Sequence, residues 1–152
     1  MFKVILVGTD GSDRAARAVA QAAELAKICG AKLHVVSAYK GVETAMAGAM
    51  AAGAVAAMGS ELSQAAEEEE KAVTDSLEEQ VGAIRSGGVD VTCHAVQGSA
   101  VPVLLDLAGE VGADVIVTGN RGMTGAKRLL GSVPNTLAHN AECAVLIVQT
   151  DD

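Results

Sequence analysis

The sequence predicts an α/β protein built on one open, five-stranded parallel sheet with helices on both faces. Short apolar runs rich in β-branched residues alternate along the chain with longer segments whose apolar residues recur at helical spacing. That alternation is typical of β-α-β units, whose strands pair in parallel. The chain has 152 residues, of which 50% are apolar, so it has room for one domain with a sizeable core.

Each predicted strand is a short apolar run bounded by turn residues. The strands are expected at 4–7, 33–38, 89–96, 113–118 and 143–149. Right-handed crossovers and short connections predict the order 3-2-1-4-5. In that order the first and fourth strands are neighbours, and a ligand crevice is expected between their carboxyl ends.

Four helices connect these strands, and capping residues mark their ends. They are predicted from the Ser12 cap to Gly30, from a Ser60 cap to Gly87-Gly88, from Ser99 to about Glu110, and over 133–140. The whole chain, 1–152, is expected to form one domain.

The stretch 41–59, GVETAMAGAMAAGAVAAMG, interrupts this pattern. It is rich in Ala, Gly and Met and carries a single charge. Alanine favours helix while glycine opposes it, so we expect a flexible connector that is helical in part. Its methionines could contact a protein partner, which the sequence does not identify.

Composition excludes several functional classes. The net charge of −8 argues against nucleic-acid binding, which depends on clustered Lys and Arg. The three cysteines, Cys29, Cys93 and Cys143, lie far apart without a CxxC pair and are predicted to be reduced core residues. The apolar run at the N-terminus, MFKVILVGTDGSD, has only about five apolar residues before Gly and Asp intervene, which is too short for a signal peptide or a membrane span. We therefore expect a cytoplasmic protein.

The segment VIVTGNRGMTGAKRLLGSVPN, residues 115–135, has the features of an anion site. Its glycines allow backbone N–H groups to approach a phosphate, and Gly131-Ser132 opens a helix whose N-terminus favours negative charge. Residues 115–141 contain no Asp or Glu but include Arg121, Lys127 and Arg128. The alternative is an ordinary glycine-rich connection whose basic residues face water.

A second candidate is the loop Gly8-Thr9-Asp10-Gly11-Ser12 after the first strand. Asp10 could accept a hydrogen bond from a ribose hydroxyl or hold a metal-bound water, or it could simply help Ser12 to cap the helix. The P-loop, the dinucleotide-binding GxGxxG and the GxSxG elbow are absent. The three histidines, His34, His94 and His139, are expected to be packed or exposed rather than catalytic.

Three stretches together resemble the universal stress protein family: VGTDGSD at 7–13, the run from 97 to 119, and GNRG…GSVPNTLAHNAECAVLIV at 119–148. The resemblance covers essentially the whole chain except 41–59. The ATP-binding branch of that family carries G-x2-G-x9-G-[ST]. This sequence has Gly119-x2-Gly122-x8-Gly131-Ser132, so its second spacer is one residue short.

The resemblance implies a Rossmann-like fold, a homodimer and a bound adenine nucleotide: ATP, AMP or cyclic AMP, with any Mg²⁺ held through the phosphates. Matching the family's pattern residue by residue implies a set of nucleotide-binding residues. They are Thr9, Asp10, Ser37, Ala38, Gly98, Gly119, Gly122, Gly131, Ser132 and Val133. No metal-ligating set and no catalytic residue is implied.

Three functions remain open on the sequence. The leading one is a nucleotide-binding stress-response or regulatory protein with little turnover, because the sequence shows no general base or water-positioning residue. The second is a slow Mg²⁺-dependent ATPase or phosphotransferase that uses Asp10, Ser132 or Thr124. The third is a nucleotide-free dimeric scaffold that recruits a partner through 41–59.

The last strand predicts self-association. CAVLIV, residues 143–148, is apolar at six successive positions, which suits a strand covered on both faces. The predicted strand order nevertheless leaves it at the edge of the sheet, where an apolar strand promotes aggregation unless another chain covers it. Antiparallel pairing with a two-fold related copy would satisfy both edges. The alternative is a monomer shielded by Asp151-Asp152.

Overall fold

A parallel sheet with strand order β3-β2-β1-β4-β5 organises the computed structural model, which describes residues 1–41, 59–120 and 132–150. The strands are β1 (Val4–Gly8), β2 (Lys32–Tyr39), β3 (Val91–Gln97), β4 (Val115–Gly119) and β5 (Ala144–Val148). All four neighbouring pairs are parallel. The predicted fold class and strand order are confirmed.

Four helices within the described residues pack on the sheet. They are α1 (Asp13–Cys29), α2 (Gly59–Ser86), α3 (Ala100–Val111) and α4 (Val133–Asn140). The predicted cap of α1 is present, since the Ser12 hydroxyl accepts a hydrogen bond from the Ala15 N–H at 3.2 Å. The same helix ends at Gly30, whose φ of 63° is the left-handed conformation that glycine favours.

One predicted cap is wrong. Gly59 is already helical, so Ser60 lies inside α2 and cannot be its N-cap. A serine near the start of a periodic apolar pattern looks the same in sequence whether it precedes the helix or follows its first residue. The expected flexible connector falls almost entirely on residues 42–58, which lie outside the described residues.

The alternation of side chains along the strands divides the core into two layers. Ile5 and Val7 of β1 pack with α1 and α2 on one face of the sheet. Leu6 of β1 and Ile116 of β4 pack with α3 and α4 on the other face. Ile5, Leu6, Val7 and Ile116 are completely buried, so both faces of the central strands are covered.

The three cysteines are unpaired and partly buried, at the margins of these two layers. Burial, followed by the nearby Glu78 carboxylate, raises the pKa of the Cys93 thiol to about 11. Cys93 is therefore protonated at neutral pH and a poor nucleophile. None of the helices in the described ranges combines the length and apolarity needed to cross a bilayer.

Candidate functional site

A cavity of about 230 Å³ opens at the carboxyl ends of β1 and β4. At this point the chain direction across the sheet reverses, with β2 on one side of β1 and β4 on the other. Parallel sheets leave a crevice at such a position because the connections on the two sides turn away onto opposite faces. The cavity lies where the sequence predicts the ligand crevice.

The loop after β1 supplies the polar floor of the cavity. Thr9 is only 8% exposed, and its backbone N–H donates to the Val36 carbonyl at 2.9 Å. The Thr9 hydroxyl accepts a hydrogen bond from the Gly11 N–H at 3.2 Å. Asp10 Oδ1 accepts from the Ser12 N–H at 3.1 Å and from the Ser12 hydroxyl at 2.5 Å. This loop therefore holds the Asp10 carboxylate in a defined orientation beside the cavity.

One wall of the cavity is apolar. It consists of Val36 and Ala38 from β2 together with Ala100 and Leu104 from α3. Gly8 allows this wall to form, because a Cβ atom built there would lie 3.2 Å from Leu104 Cδ1. Such a surface suits the flat apolar face of a heterocyclic base.

The first turns of three helices meet at the cavity. Ala15 lies in the first turn of α1, Ala100 begins α3, and Val133 and Pro134 begin α4. A helix N-terminus presents unpaired N–H groups and a partial positive charge. Arg14, the second residue of α1, also lines the cavity and adds a full positive charge. The side of the cavity formed by α1 and α4 favours an anionic group such as phosphate.

The opposite wall comes from β4 and from the segment that follows β5. Thr118 and Gly119 end β4, and Thr150 lies against them. A Cβ atom on Gly119 would lie 3.2 Å from Thr150 Cγ2, so glycine gives Thr150 room to pack at this position. Asn120 accepts two hydrogen bonds from Thr150, from the backbone N–H at 2.9 Å and from the hydroxyl at 2.8 Å.

The structure brings together half of the residues that the sequence nominated for nucleotide binding. Those lining the cavity are Thr9, Asp10, Ala38, Gly119 and Val133. Gly122 and Gly131 lie outside the described residues.

Ser37, Gly98 and Ser132 are described but do not line the cavity. Ser37 is next to Ala38 in β2, and successive strand residues face opposite sides of the sheet. Ser132 caps α4 by accepting from the Asn135 N–H at 3.4 Å. Gly98 forms the turn into α3. Glycine is required there for two reasons: its φ is 148°, and a Cβ atom built on it would lie 2.9 Å from Val103 Cγ2.

Sequence reasoning missed several lining residues. Thr118 could have been found, because it ends a predicted strand that borders the crevice. Thr150 carries no such signal, since it follows the last strand and reaches the cavity only because that strand pairs beside β4. Among the described residues, no three His, Cys, Asp or Glu side chains are grouped closely enough to hold a metal ion.

Comparison with known proteins identifies the family. The model of the universal stress protein family matches residues 1–149. The chain belongs to the universal stress protein family. Universal stress protein Rv1636 of Mycobacterium tuberculosis is 38% identical to this universal stress protein, over 98% of this chain and 97% of the relative.

Two solved structures share the architecture. A universal stress protein in complex with cAMP superposes with a TM-score of 0.71 at 34% identity, covering 99% of this chain and 98% of that one. The universal stress protein of Archaeoglobus fulgidus in complex with dAMP superposes with a TM-score of 0.64 at 26% identity, covering 97% and 98% of the two chains.

Proposed function

We propose that this universal stress protein is an adenine-nucleotide-binding, stress-response protein with little or no turnover. The observation that carries the proposal is the cavity between β1 and β4. An apolar wall at Val36 and Ala38 suits the base, whereas the first turns of α1 and α4 suit the phosphates. ATP, AMP and cyclic AMP all combine these two chemical features.

The two solved relatives support this ligand class. One of those proteins is in complex with cAMP and the other with dAMP, and both ligands are adenine nucleotides with a phosphate. Both proteins match this chain over nearly its full length. The proposal extends their ligand class to this chain, with any Mg²⁺ held through the phosphates of ATP.

Low turnover follows from the polar groups at the cavity. Asp10 is the one carboxylate among the described lining residues, and its Oδ1 atom accepts two hydrogen bonds from Ser12. That arrangement suits a residue that orients a ligand hydroxyl rather than one that takes a proton from water. Steady-state phosphate release with and without the Asp10→Ala change distinguishes the two roles, because metal-dependent turnover lost in the variant would favour an ATPase.

Mass spectrometry of the small molecules released from freshly purified, denatured protein tests the ligand class directly. We expect an adenine nucleotide, and its absence together with a lack of binding by calorimetry would contradict the proposal. Ala38→Leu should abolish binding, because it adds bulk to the apolar wall of the cavity. Ala83→Leu makes the same change at an exposed position of α2 and should bind normally. Gly122→Val and Gly131→Val, in the glycine loop outside the described residues, should also abolish binding.

The proposal includes a symmetric homodimer through β5. In the described residues β5 is an edge strand, and Leu146 and Ile147 are 41% and 36% exposed. The Ala144 N–H donates to the Asp114 carbonyl, and the Val148 carbonyl accepts from the Asn120 N–H, so these two residues turn their backbone groups toward β4. The backbone N–H and C=O groups of successive strand residues point to opposite edges of the strand. The N–H and C=O groups of Val145 and Ile147 therefore point toward the free edge of the sheet. A second copy of β5 would satisfy those groups.

A cytoplasmic location is also part of the proposal. It rests on the three cysteines, which are unpaired although each is partly buried. Unpaired thiols are typical of proteins kept in a reducing compartment.

A further inference from the structure

The residue Thr150 occupies an unusual place, because it follows the last strand yet lies in the wall of the cavity. It is 2% exposed. Two side chains hold it: Asn120 accepts from its N–H and hydroxyl, and Arg17 Nη1 donates to its carbonyl at 3.2 Å. The Asn120 N–H also donates to the Val148 carbonyl at 2.8 Å. The position of the Thr150 side chain is therefore well determined.

The hydrogen bonds to Asn120 settle which way the Thr150 hydroxyl is oriented. A backbone N–H can only donate, so the Asn120 atom 2.9 Å from the Thr150 nitrogen must be the carbonyl oxygen of the amide. The Thr150 hydroxyl lies 2.8 Å from that same oxygen, which can only accept. The hydroxyl proton is therefore committed to Asn120, and the hydroxyl oxygen remains as a hydrogen-bond acceptor.

The other hydroxyls at the cavity differ in this respect. The Thr9 hydroxyl accepts from the Gly11 N–H, so its own proton remains available to a ligand acceptor. The Ser12 hydroxyl both donates to Asp10 and accepts from Ala15. Thr118 donates over 3.4 Å to the Gly119 carbonyl, a long and weak contact. Among these four hydroxyls, Thr150 is the one whose proton is committed by a short bond while its oxygen accepts no hydrogen bond from the described residues.

Its place in the cavity indicates which part of a nucleotide it would meet. The apolar wall for the base is formed by β2 and α3, and the first turn of α4 offers a place for phosphate. Thr150 packs on Gly119 at the end of β4, away from the wall assigned to the base. The ribose joins base to phosphate, and its hydroxyls are the hydrogen-bond donors in that part of the ligand.

We propose that Thr150 accepts a hydrogen bond from a ribose hydroxyl of the bound nucleotide and so makes the site prefer ribonucleotides to deoxyribonucleotides. This inference rests on the proposed adenine-nucleotide function and adds a specificity residue to it. Asn120 acts as a positioning residue, because it holds the Thr150 proton and leaves the oxygen to the ligand.

Calorimetric titration of the full chain with AMP, 2′-deoxy-AMP and 3′-deoxy-AMP tests the proposal. The intact protein should bind AMP between about 2- and 12-fold more tightly than one of the two deoxy ligands, which is the net effect of one hydrogen bond. Thr150→Val keeps the side-chain shape but lacks the hydroxyl. It should weaken AMP binding to the level of that deoxy ligand and leave the deoxy affinity unchanged. Thr150→Ser keeps the hydroxyl and should keep the preference.

Thr92→Val is the matched control, since it makes the same change in β3 at a residue that does not line the cavity. It should leave the preference intact. Two results would overturn the inference: equal binding of all three ligands by the intact protein, or an unchanged preference in Thr150→Val. The ligand comparison on the intact protein needs no variant, so a Thr150→Val chain that fails to fold does not block the test. If the intact protein binds none of the three, the proposed function fails as well.

Discussion

Two histidine rings, expected from the sequence to be packed or exposed rather than catalytic, share a hydrogen bond between β2 and β3. His34 Nδ1 and His94 Nε2 are 2.8 Å apart, and the rings stack at 20° with centroids 5.1 Å apart. One ring nitrogen must donate and the other accept, so the contact is incompatible with two protonated rings. Burial lowers the pKa of both imidazoles, and for His34 the neighbouring His94 and then Lys32 lower it further, against a smaller opposing effect of Asp90. For His94, the Glu110 carboxylate opposes the lowering of the pKa by burial, and Lys32 lowers the pKa further.

This pair predicts that the free energy of unfolding falls as the medium becomes acidic. Because both pKa values are lower in the folded state than the ordinary value of 6.5, the unfolded chain binds more protons below that pH. The stability is therefore fully present above about pH 6.5 and decreases as the pH falls toward the folded-state pKa values. Urea unfolding at a series of pH values between about pH 5 and pH 8 measures how the free energy of unfolding depends on pH.

His94→Gln should reduce this pH dependence, because glutamine does not titrate. His139→Gln is the control, since His139 is exposed in the last turn of α4 and no partner ring is described for it. Equal slopes for the intact protein and His94→Gln would show that the histidine pair does not govern acid stability.

At the scale of the helix, two serines at N-cap positions allow a matched comparison. Ser12 caps α1 through its hydroxyl, whereas Ser99 occupies the same position before α3 and makes no side-chain cap bond. Ser12→Ala should cost about 1 kcal/mol of the free energy of unfolding, the usual effect of losing a capping hydroxyl. Ser99→Ala should cost clearly less. Urea denaturation of both variants provides the measurement, and equal losses would contradict the assignment.

At the scale of the strand, the backbone direction of β5 makes the dimer proposal specific. We infer that the backbone N–H of Ile147 points toward the free edge of the sheet. Ile147→Pro therefore removes a hydrogen-bond donor that the contact between two copies needs, and it spares the hydrogen bonds between β5 and β4. We expect the dissociation constant of the dimer to rise at least about 10-fold, since several ladder bonds depend on that geometry. Light scattering over a concentration series measures the mass.

Leu146→Pro is the contrasting variant. Leu146 is two residues from both Ala144 and Val148, so its backbone groups also turn toward β4. Proline at this position should therefore disturb the pairing of β5 with β4 and lower the stability of the monomer itself. A monomeric mass for the intact protein at micromolar concentration would end the dimer proposal.

For the molecule as a whole, nucleotide binding should raise thermal stability by mass action. ATP or AMP at about 100 times its dissociation constant adds about 2.7 kcal/mol to the folded state. For a chain of 152 residues this corresponds to a rise in the melting temperature of about 5 to 10 °C. Differential scanning calorimetry at increasing ligand concentration checks it, with inorganic phosphate at matched ionic strength as the control. A melting temperature independent of ATP and AMP would count against the site.

Much of the fold could be predicted because its determinants are local. Apolar runs such as the one in β1 and stop residues such as Gly30 specify elements from short stretches of chain. Element ends were less exact: β5 begins at Ala144 rather than Cys143, and α2 begins before Ser60. The hydrogen-bonding partners that define an end lie partly outside the local sequence.

The sequence by itself determined the alternation of strands and helices, the strand order, the family and five of the fifteen residues that line the cavity. Periodicity, handed crossovers and recognisable motifs carry that information along the chain. Only the tertiary structure decided that Ala38 faces the cavity and Ser37 does not line it, that His34 meets His94, and that Thr150 completes the wall beside Gly119. Those contacts depend on which residues of neighbouring strands lie opposite each other, and a shift of one residue would turn every side chain to the other face.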